Sequence, residues 1–574
     1  MHLPHGQPHP SSYFKYEIYP FVRPSDMGAP EPTHHPVVVV GAGPAGLVLA
    51  IQLASNGVAC VLIESEAQVS GGSRALALTK RSMEIIEQSG VAQQFLQRAL
   101  VWKDGYSFYK NRVVHHLDLP FSEDDKFAPM TNLPQCVMEK ILVDRARELG
   151  VDMRFQTRLE AMEATADGVT LTLDTPEGDY RIHADWVVGC DGARSAVRRL
   201  QGLRFEGKSY ESRFVIADFN IALEEPTGRR CYYEPPWLPG HTALMHKAPG
   251  GIWRLDYQVP DDVTDEQALD PKRIHGHIQA HLDYIGVDLP WTIEWTTLYK
   301  PNTLTLASYH HGRVLYCGDA AHLLPVFGVR GMNTGIQDSI NLAWKLAAVV
   351  HHQAQASILD SYSSERVADA RQICIEAGRS TRMMAPPTRG YRVLQQAVLS
   401  LSLNHAFTRG LLHWRTSHPI DYASSPLTWV DATESNFAAG PTPGAPARNV
   451  QLEPGKPDSA YLLDTFQPAF QVLVFGQNAA LWQAAREDVL AARQQGLRVR
   501  LMAITVDGTP MADADAVLHD PLGHAQALWG TADGAVYVLR PDQHVCARWS
   551  ASSGTRVKQV LDHVLSAAQA TPAV

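Results

Sequence analysis

Val37 to Val40 is an unbroken apolar run, the pattern that a strand buried on both faces requires. Helical spacing follows over Leu47 to Ser55, and Ala59-Cys-Val-Leu-Ile63 predicts a second buried strand ending at Glu64. Farther on, Met138 to Leu149 predicts a helix and Val169 to Leu173 alternates as a strand. Ala184 to Gly189 is again a buried strand, stopping at Asp191-Gly192. Between residues 205 and 300 the rhythm changes to short alternating segments, such as Phe214 to Ile221 and Ile252 to Val259, broken by Pro-rich turns. That predicts a mostly antiparallel sheet inserted between two parts of a nucleotide-type α/β domain. Arg313 to Cys317 reads as a strand, and helical sequence runs from Gly335 to about His413. Between Gly440 and Pro457, eight of 18 residues are Gly or Pro, which marks a linker. Past it, strands near Gln471 to Phe475, Val499 to Val506 and Ala535 to Leu539 alternate with helices near Ala480 to Gln494 and Val557 to Ala567. This predicts a separate small α/β domain.

The chain thus divides into an N-terminal extension (1–35), a nucleotide-binding first part (36–204), a sheet domain (205–300), a nucleotide-binding second part with helices (301–439), a linker (440–457) and a C-terminal domain (458–574). A length of 574 residues agrees, being too long for one core. The formal charge of −10 provides no basic field for nucleic acid or an anionic membrane, and no run approaches the ~18 apolar residues of a membrane span. The N-terminus lacks the basic and apolar regions of a secretory signal. Seven scattered cysteines without a Cys-x-x-Cys argue for reduced thiols in a cytoplasm. The His residues of the extension have no ligand-like spacing, so no metal is expected.

Three segments carry candidate chemistry. Gly41-Ala-Gly43-Pro-Ala45-Gly46 follows a strand and opens a helix, with Glu64 and Ser65 at the end of the next strand. Gly41 permits the tight turn, Gly43 a close pyrophosphate, and Gly46 helix-on-strand packing, while Glu64 suits ribose hydroxyls. The fingerprint alone does not separate NAD from FAD. Asp191-Gly192-Ala-Arg194-Ser195 is a second strand–turn–helix site, where Asp191 could also be a plain helix cap. Gly318-Asp319 through Pro325 to Gly331-Met332-Asn333 is the third: a carboxylate for sugar-like hydroxyls, then a Gly-rich loop opening a helix. Together they point to FAD. Arg74, just after the second strand, could reach phosphate or flavin, and Gln135 is a weaker candidate.

These motifs, with Asn341-Leu-Ala-Trp-Lys345-Leu-Ala, resemble the single-component, class A FAD-dependent aromatic hydroxylases, the p-hydroxybenzoate and phenol hydroxylase family, over residues 36–400. Residues 458–570, with Arg540-Pro-Asp542, resemble the thioredoxin-like C-terminal domain of the phenol hydroxylase branch, and the missing Cys-x-x-Cys speaks against a redox role. Within the family the chain looks nearest to proteins called 3-(3-hydroxyphenyl)propionate hydroxylase. The resemblance implies a Rossmann-type FAD-binding domain with an inserted sheet domain for substrate. It further implies that Gly41, Gly43, Gly46 and Glu64 hold the ADP half, with Ala45, Ser65, Arg74 and Gln135 as further FAD contacts, and that Asp191-Gly192 serves FAD and NAD(P)H. Gly318-Asp319 would bind the ribityl chain, and Gly331, Met332 and Asn333 N–H groups would face the flavin pyrimidine. Pro325 would line the cleft between flavin and substrate. The family's Gly-Gln-Gly appears here as Gly328-Val-Arg330-Gly331, which places a cation either beside the flavin or in solvent.

The implied reaction hydroxylates a phenolic compound with NADH or NADPH and O2 through a flavin C4a-hydroperoxide. A base must then take the phenolic proton. Candidates on the inserted sheet are His246 first, then Tyr257, Tyr233 and His241. Alternation puts Arg254, Asp256 and Gln258 on one face, and Trp253, Leu255 and Tyr257 on the other. Simple phenols, phenylpropanoid acids and flavonoids all remain open as substrates. Alternatives are another FAD-dependent oxidoreductase, a tetracycline-type monooxygenase, or FAD as a purely structural ligand. A homodimer is compatible with all of these.

Overall fold

The computed structural model describes residues 7–122, 124–210, 212–325, 328–412, 419–431, 434, 437–453, 459–531, 534–550 and 556–566. His2, His5, Val326, Phe327, His413, Ala567 and part of the Gly/Pro-rich stretch lie outside the described residues.

The valine run forms strand Thr33–Val40 in the middle of a sheet, paired in parallel with Tyr180–Gly189 on one side and Cys60–Ile63 on the other. Val314–Tyr316 and Asp152–Arg154 extend the parallel sheet outward, and Val169–Asp174 folds back on Tyr180–Gly189 antiparallel. Val37, Val38 and Val39 have no exposed surface, and helix Pro44–Ser55 packs against this part of the sheet. Helix Pro44–Ser55 crosses helix Gly331–Val350 where a Cβ on Gly335 would stand 3.2 Å from Gly318 Cα, and Ser339 Oγ donates to Ala45 O at 2.8 Å. Small residues at this crossing bring the two cofactor motifs together, although they are far apart in sequence.

The second sheet has seven strands in the order Trp291–Tyr299, Arg213–Ile221, Ile252–Val259, Thr242–Lys247, Arg229–Tyr233, Asp104–Tyr109, Arg112–Asp118. The last two come from the stretch that sequence places in the nucleotide-binding part. They join because Asp104–Tyr109 pairs in parallel with Arg229–Tyr233, a long-range register with no local signal. One face of this sheet packs Phe219, Trp253 and Leu255 against Ile274, Ile278 and Leu282 of helix Pro271–Tyr284. The other face turns toward the nucleotide-binding part.

A third sheet, in the order Ala516–His519, Val499–Thr505, Phe470–Phe475, Ala535–Leu539, Val545–Ser550, forms the C-terminal α/β unit. The described part of the Gly/Pro-rich stretch is packed onto it. Gly444 and Ala447 N–H groups donate to Val545 O and Gln543 O at 2.8 and 2.7 Å, and Val450 is fully buried. The described part of the N-terminal extension is likewise packed onto the nucleotide-binding part. Tyr16 Oη accepts the Gly72 N–H at 2.8 Å, and Tyr19 stacks on Phe155 at 4.2 Å.

Candidate active site

Strand Thr33–Val40 delivers the chain to Gly41, where φ is +105° and a Cβ would stand 2.7 Å from Cys190 O. A Cβ on Gly46 would meet Gly41 O at 2.0 Å, so neither position admits a side chain. In front of Gly43, by contrast, there is open space within 4 Å. Helix Pro44–Ser55 starts there with neither a side-chain cap nor an acid in its first turn, so its leading N–H groups suit a diphosphate. Beside it, Glu64 accepts the N–H groups of Ala42 and Glu66 at 2.8 and 3.0 Å and the Ser65 hydroxyl at 3.2 Å, while burial pushes its pKa up.

Asp191 does cap a helix: its Oδ2 accepts the N–H groups of Ala196 and Val197 at 2.6 and 3.1 Å. Its Oδ1, however, is buried without a hydrogen-bond partner among the described residues. A buried carboxylate oxygen left unpaired is costly, and a ligand hydroxyl or N–H would satisfy it. Gly192 follows at φ +75° with open space around its Cα.

The turn Gly318–Ala320 is held from beneath by Asp338 of helix Gly331–Val350. Asp338 Oδ2 accepts the Gly318 N–H at 3.0 Å and pairs with His322 Nε2 at 2.6 Å, and Arg366 Nε donates to Oδ1 at 2.6 Å. Burial alone would raise the Asp338 pKa, but His322 and Arg366 outweigh it and bring it down to about 2. Asp319, next to this anchor, opens its side chain to solvent, yet the protein around it raises its pKa, against the opposing charges of His322 and Arg74. A carboxylate enclosed by protein but still accessible lies at the bottom of a cleft. Helix Gly331–Val350 begins with no side-chain cap and no acid in its first turn, leaving N–H groups at Gly331 and Met332 for a ligand. The Asn333 side chain is spent on structure: Oδ1 accepts from Thr79 N and Ser82 Oγ at 2.9 and 2.6 Å, and Nδ2 donates to Ala77 O at 3.0 Å. Pro325 is buried just before the undescribed Val326 and Phe327.

Arg74 sits at φ +22° with its side chain exposed toward this cleft. Gln135 braces the same loop, accepting the Ala75 N–H at 3.1 Å and donating to Glu139 Oε1 at 2.7 Å. From the substrate sheet, Arg254 Nη1 donates to Arg74 O at 2.7 Å and Nε to Asp218 Oδ1 at 2.8 Å, while Ser73 Oγ bonds both Asp218 and Arg254. This clamp, absent from the sequence reading, fixes the sheet face bearing Asp218, Arg254 and His246 against the nucleotide-binding loop. Its members lie far apart in sequence and become neighbours only through strand register.

The proposed catalytic residues separate. His246 stands opposite Arg229 and Arg254 in register. Burial, then these two cations, push its pKa down to about 3, so at neutral pH it is uncharged and holds a proton too weakly for a general base. Tyr257 lies on the opposite face, stacked on His277 of helix Pro271–Tyr284 at 4.8 Å, and is not brought to the cleft. Tyr233 Oη is engaged by Met384 Sδ and Leu412 O at 3.2 and 3.3 Å. His241 Nδ1 lies 2.9 Å from Pro239 O in a turn. Arg330 does not point to solvent: it is buried, 3.4 Å from Glu376 Oε2 of helix Ile358–Met384. On the cleft face itself, Asp256 Oδ1 and Gln258 Oε1 are buried with no partner among the described residues.

The groups left wanting partners fit FAD: an open, uncapped helix start for a diphosphate, carboxylates at Glu64, Asp191 and Asp319 for hydroxyls, and a second uncapped helix start for the ring. Joined to an antiparallel sheet that the Ser73–Asp218–Arg254 clamp holds against the neighbouring loop, this cradle defines an FAD-binding protein. Comparison with known proteins gives the family: the FAD binding domain model matches residues 34–377, and the chain belongs to that family. It is 30% identical over 531 residues to the 3-(3-hydroxy-phenyl)propionate/3-hydroxycinnamic acid hydroxylase of Mycolicibacterium smegmatis, spanning 88% of this chain and 89% of that protein. It is also 30% identical over 394 residues to a 12-dehydrotetracycline 5-monooxygenase/anhydrotetracycline 6-monooxygenase of Streptomyces rimosus, spanning 66% of this chain and 75% of that one. The solved flavin-dependent monooxygenase PieE, in complex with FAD and substrate, shares the fold with a TM-score of 0.76 at 24% identity, covering 93% of this chain and 100% of that one.

Proposed function

We propose that the chain hydroxylates a phenolic aromatic compound, consuming one NADH or NADPH, one O2 and one proton, and releasing water and the oxidised nicotinamide. FAD, when bound, supplies electron transfer from the nicotinamide and activation of O2. The chain's own residues hold the cofactor and shape the reaction space. Gly43 and the start of helix Pro44–Ser55 suit the diphosphate, Glu64 and Asp191 its hydroxyl groups, Asp319 the ribityl chain, and the Gly331 and Met332 N–H groups the pyrimidine edge. Arg74 is assigned to the same cofactor. Pro325 and Arg330 are assigned to the side of the cleft where substrate enters.

The observation that carries this reading is the Ser73–Asp218–Arg254 clamp, which seats the antiparallel sheet directly over the loop next to Asp319. A closed, water-poor cleft between cofactor and aromatic substrate is what oxygen transfer requires. The substrates in the relatives' names, 3-(3-hydroxy-phenyl)propionate and 12-dehydrotetracycline, support an aromatic substrate of either size. No helix among the described residues is long and apolar enough to cross a membrane, and the free cysteines fit a cytoplasmic setting. The test is NADH and NADPH consumption across a panel of simple phenols, hydroxyphenylpropanoids and fused polyphenols, with mass spectrometry of the products. Stimulated consumption with gain of one oxygen is expected. Consumption that no compound stimulates would exclude hydroxylation.

A further inference from the structure

We propose that Asp256 is the group that accepts the phenolic proton, with Gln258 beside it receiving a second polar group of the ring. This rests on the hydroxylase reading above and names the base that it needs. Strand register places Asp256 in a row with Ile216 and Leu244, on the same sheet face as Asp218, Arg254 and His246 and one row from them, and Arg254 reaches Ser73 and Arg74 of the nucleotide-binding loop. Gln258 follows in the next row, opposite Phe214. The neighbouring polar groups are already committed: Arg254 to Asp218 at 2.8 Å, Thr242 Oγ1 to Met384 O at 2.7 Å, and Tyr233 to Met384 and Leu412. Asp256 Oδ1 and Gln258 Oε1 are left buried and unpaired among the described residues. Two buried polar atoms with no partner among the described residues, on the sheet face that bears Arg254, suit a ligand that brings hydrogen-bond partners to them.

The electrostatic setting suits the task. Burial raises the Asp256 carboxyl to about 7, with Arg254 pulling it down and Asp218 pushing it up. His246, depressed to about 3, stays neutral across this range and cannot compete for the proton. A base whose pKa lies near neutrality both ionises and holds the transferred proton. In the step, the phenolic O–H bond breaks, its proton forms an O–H bond with the Asp256 carboxylate, and the electron pair stays on the ring oxygen. The ring is then electron-rich for oxygen transfer. An ionised Asp256 also disfavours a substrate carboxylate placed against it, so the ring's hydroxyl end must face this residue.

Asp256→Asn, checked for wild-type FAD content, tests this with phenols spanning a range of acidity. For phenols un-ionised at the assay pH, wild-type kcat/KM should rise as pH rises through about 7, because the carboxylate must be ionised to accept the proton. The variant should lose that limb and fall by at least about 100-fold, and the deficit should shrink to within about threefold for phenols already ionised. Hydroxylation by the variant at the wild-type rate with an unchanged pH profile would overturn the proposal while leaving the hydroxylase reading intact. Wild-type protein that hydroxylates no phenol would instead overturn that reading. The wild-type pH profile needs no variant at all: a limb that persists unchanged with pre-ionised phenols also overturns the proposal.

Discussion

Replacing Arg540 by alanine should loosen the flavin site from a distance. Arg540 belongs to the C-terminal unit, yet its guanidinium donates to both carboxylate oxygens of Glu365 on helix Ile358–Met384, at 2.7 and 2.9 Å. Its Nε also donates to Asp542 Oδ1 at 3.0 Å, and Asp542 Oδ2 accepts from Trp344 Nε1 at 3.1 Å and Asn341 Nδ2 at 3.3 Å. Lys345 Nζ completes the cluster, 2.7 Å from Glu365. Two carboxylates and two cations balance inside the protein, and none of the four side chains is more than 2% exposed. Deleting Arg540 leaves one carboxylate charge uncompensated, which costs about 3–5 kcal/mol in a buried setting. The urea slope grows with chain size and exceeds the roughly 1–3 kcal/mol per molar of small domains here, so the unfolding midpoint should fall by about 0.5–1 M. The assay is urea unfolding of FAD-loaded protein followed by tryptophan fluorescence and flavin release together. Helix Gly331–Val350 carries both Trp344 and the uncapped start assigned to the flavin, so flavin release should shift with unfolding. Arg540→Lys, which keeps the charge but not the fork, should fall between. A midpoint within about 0.2 M of wild type would show that Arg540 does not compensate Glu365 and Asp542, since breaking such a buried pair is strongly destabilising.

Asp319→Ala should purify with little FAD, read by the ratio of flavin to protein absorbance; a fully yellow variant would show that Asp319 does not hold the ribityl chain. Asp338 has a pKa near 2, below its ordinary value, so it contributes stability above about pH 4 that is lost as pH falls toward 2. That contribution is about 2 kcal/mol, and Asp338→Asn should remove the acid limb of the stability profile measured by thermal melts from pH 3 to 7. Tyr257→Phe removes a hydroxyl that is buried without a partner among the described residues, so it should cost less than about 1 kcal/mol and leave hydroxylation kinetics unchanged. A large loss of kcat in that variant would return Tyr257 to the cleft.

The nucleotide-binding half was legible because its signals are local. A strand buried on both faces must be continuously apolar, as Val37 to Val40 is, and glycines are required where Gly41 and Gly46 meet backbone. The two faces of Ile252–Val259 were legible too, since a period of two needs no partner to read. Which face looks at the cofactor was not. That depends on helix Pro271–Tyr284 covering Tyr257, and on Ser73 meeting Asp218 across the domains. The same limit hid the weakness of His246 as a base, because its flanking cations Arg229 and Arg254 are neighbours only through strand pairing. It also hid the joint purpose of Asn341-Leu-Ala-Trp344-Lys345 and Arg540-Pro-Asp542, which read as two separate motifs and are two sides of one buried ion cluster. Arg81, on helix Lys80–Gln88, joins the same junction, buried and donating to Asp542 O at 2.7 Å.

The central claim is that the chain transfers one oxygen atom from O2 to a phenolic ring. Turnover of the FAD-loaded protein with NADPH or NADH under isotopically labelled dioxygen, across the phenol panel, tests it most directly. A product carrying one labelled oxygen atom is expected, formed only when nicotinamide, dioxygen and the phenol are all present. Product oxygen drawn from water, or nicotinamide consumption that yields only peroxide with every phenol, would contradict it.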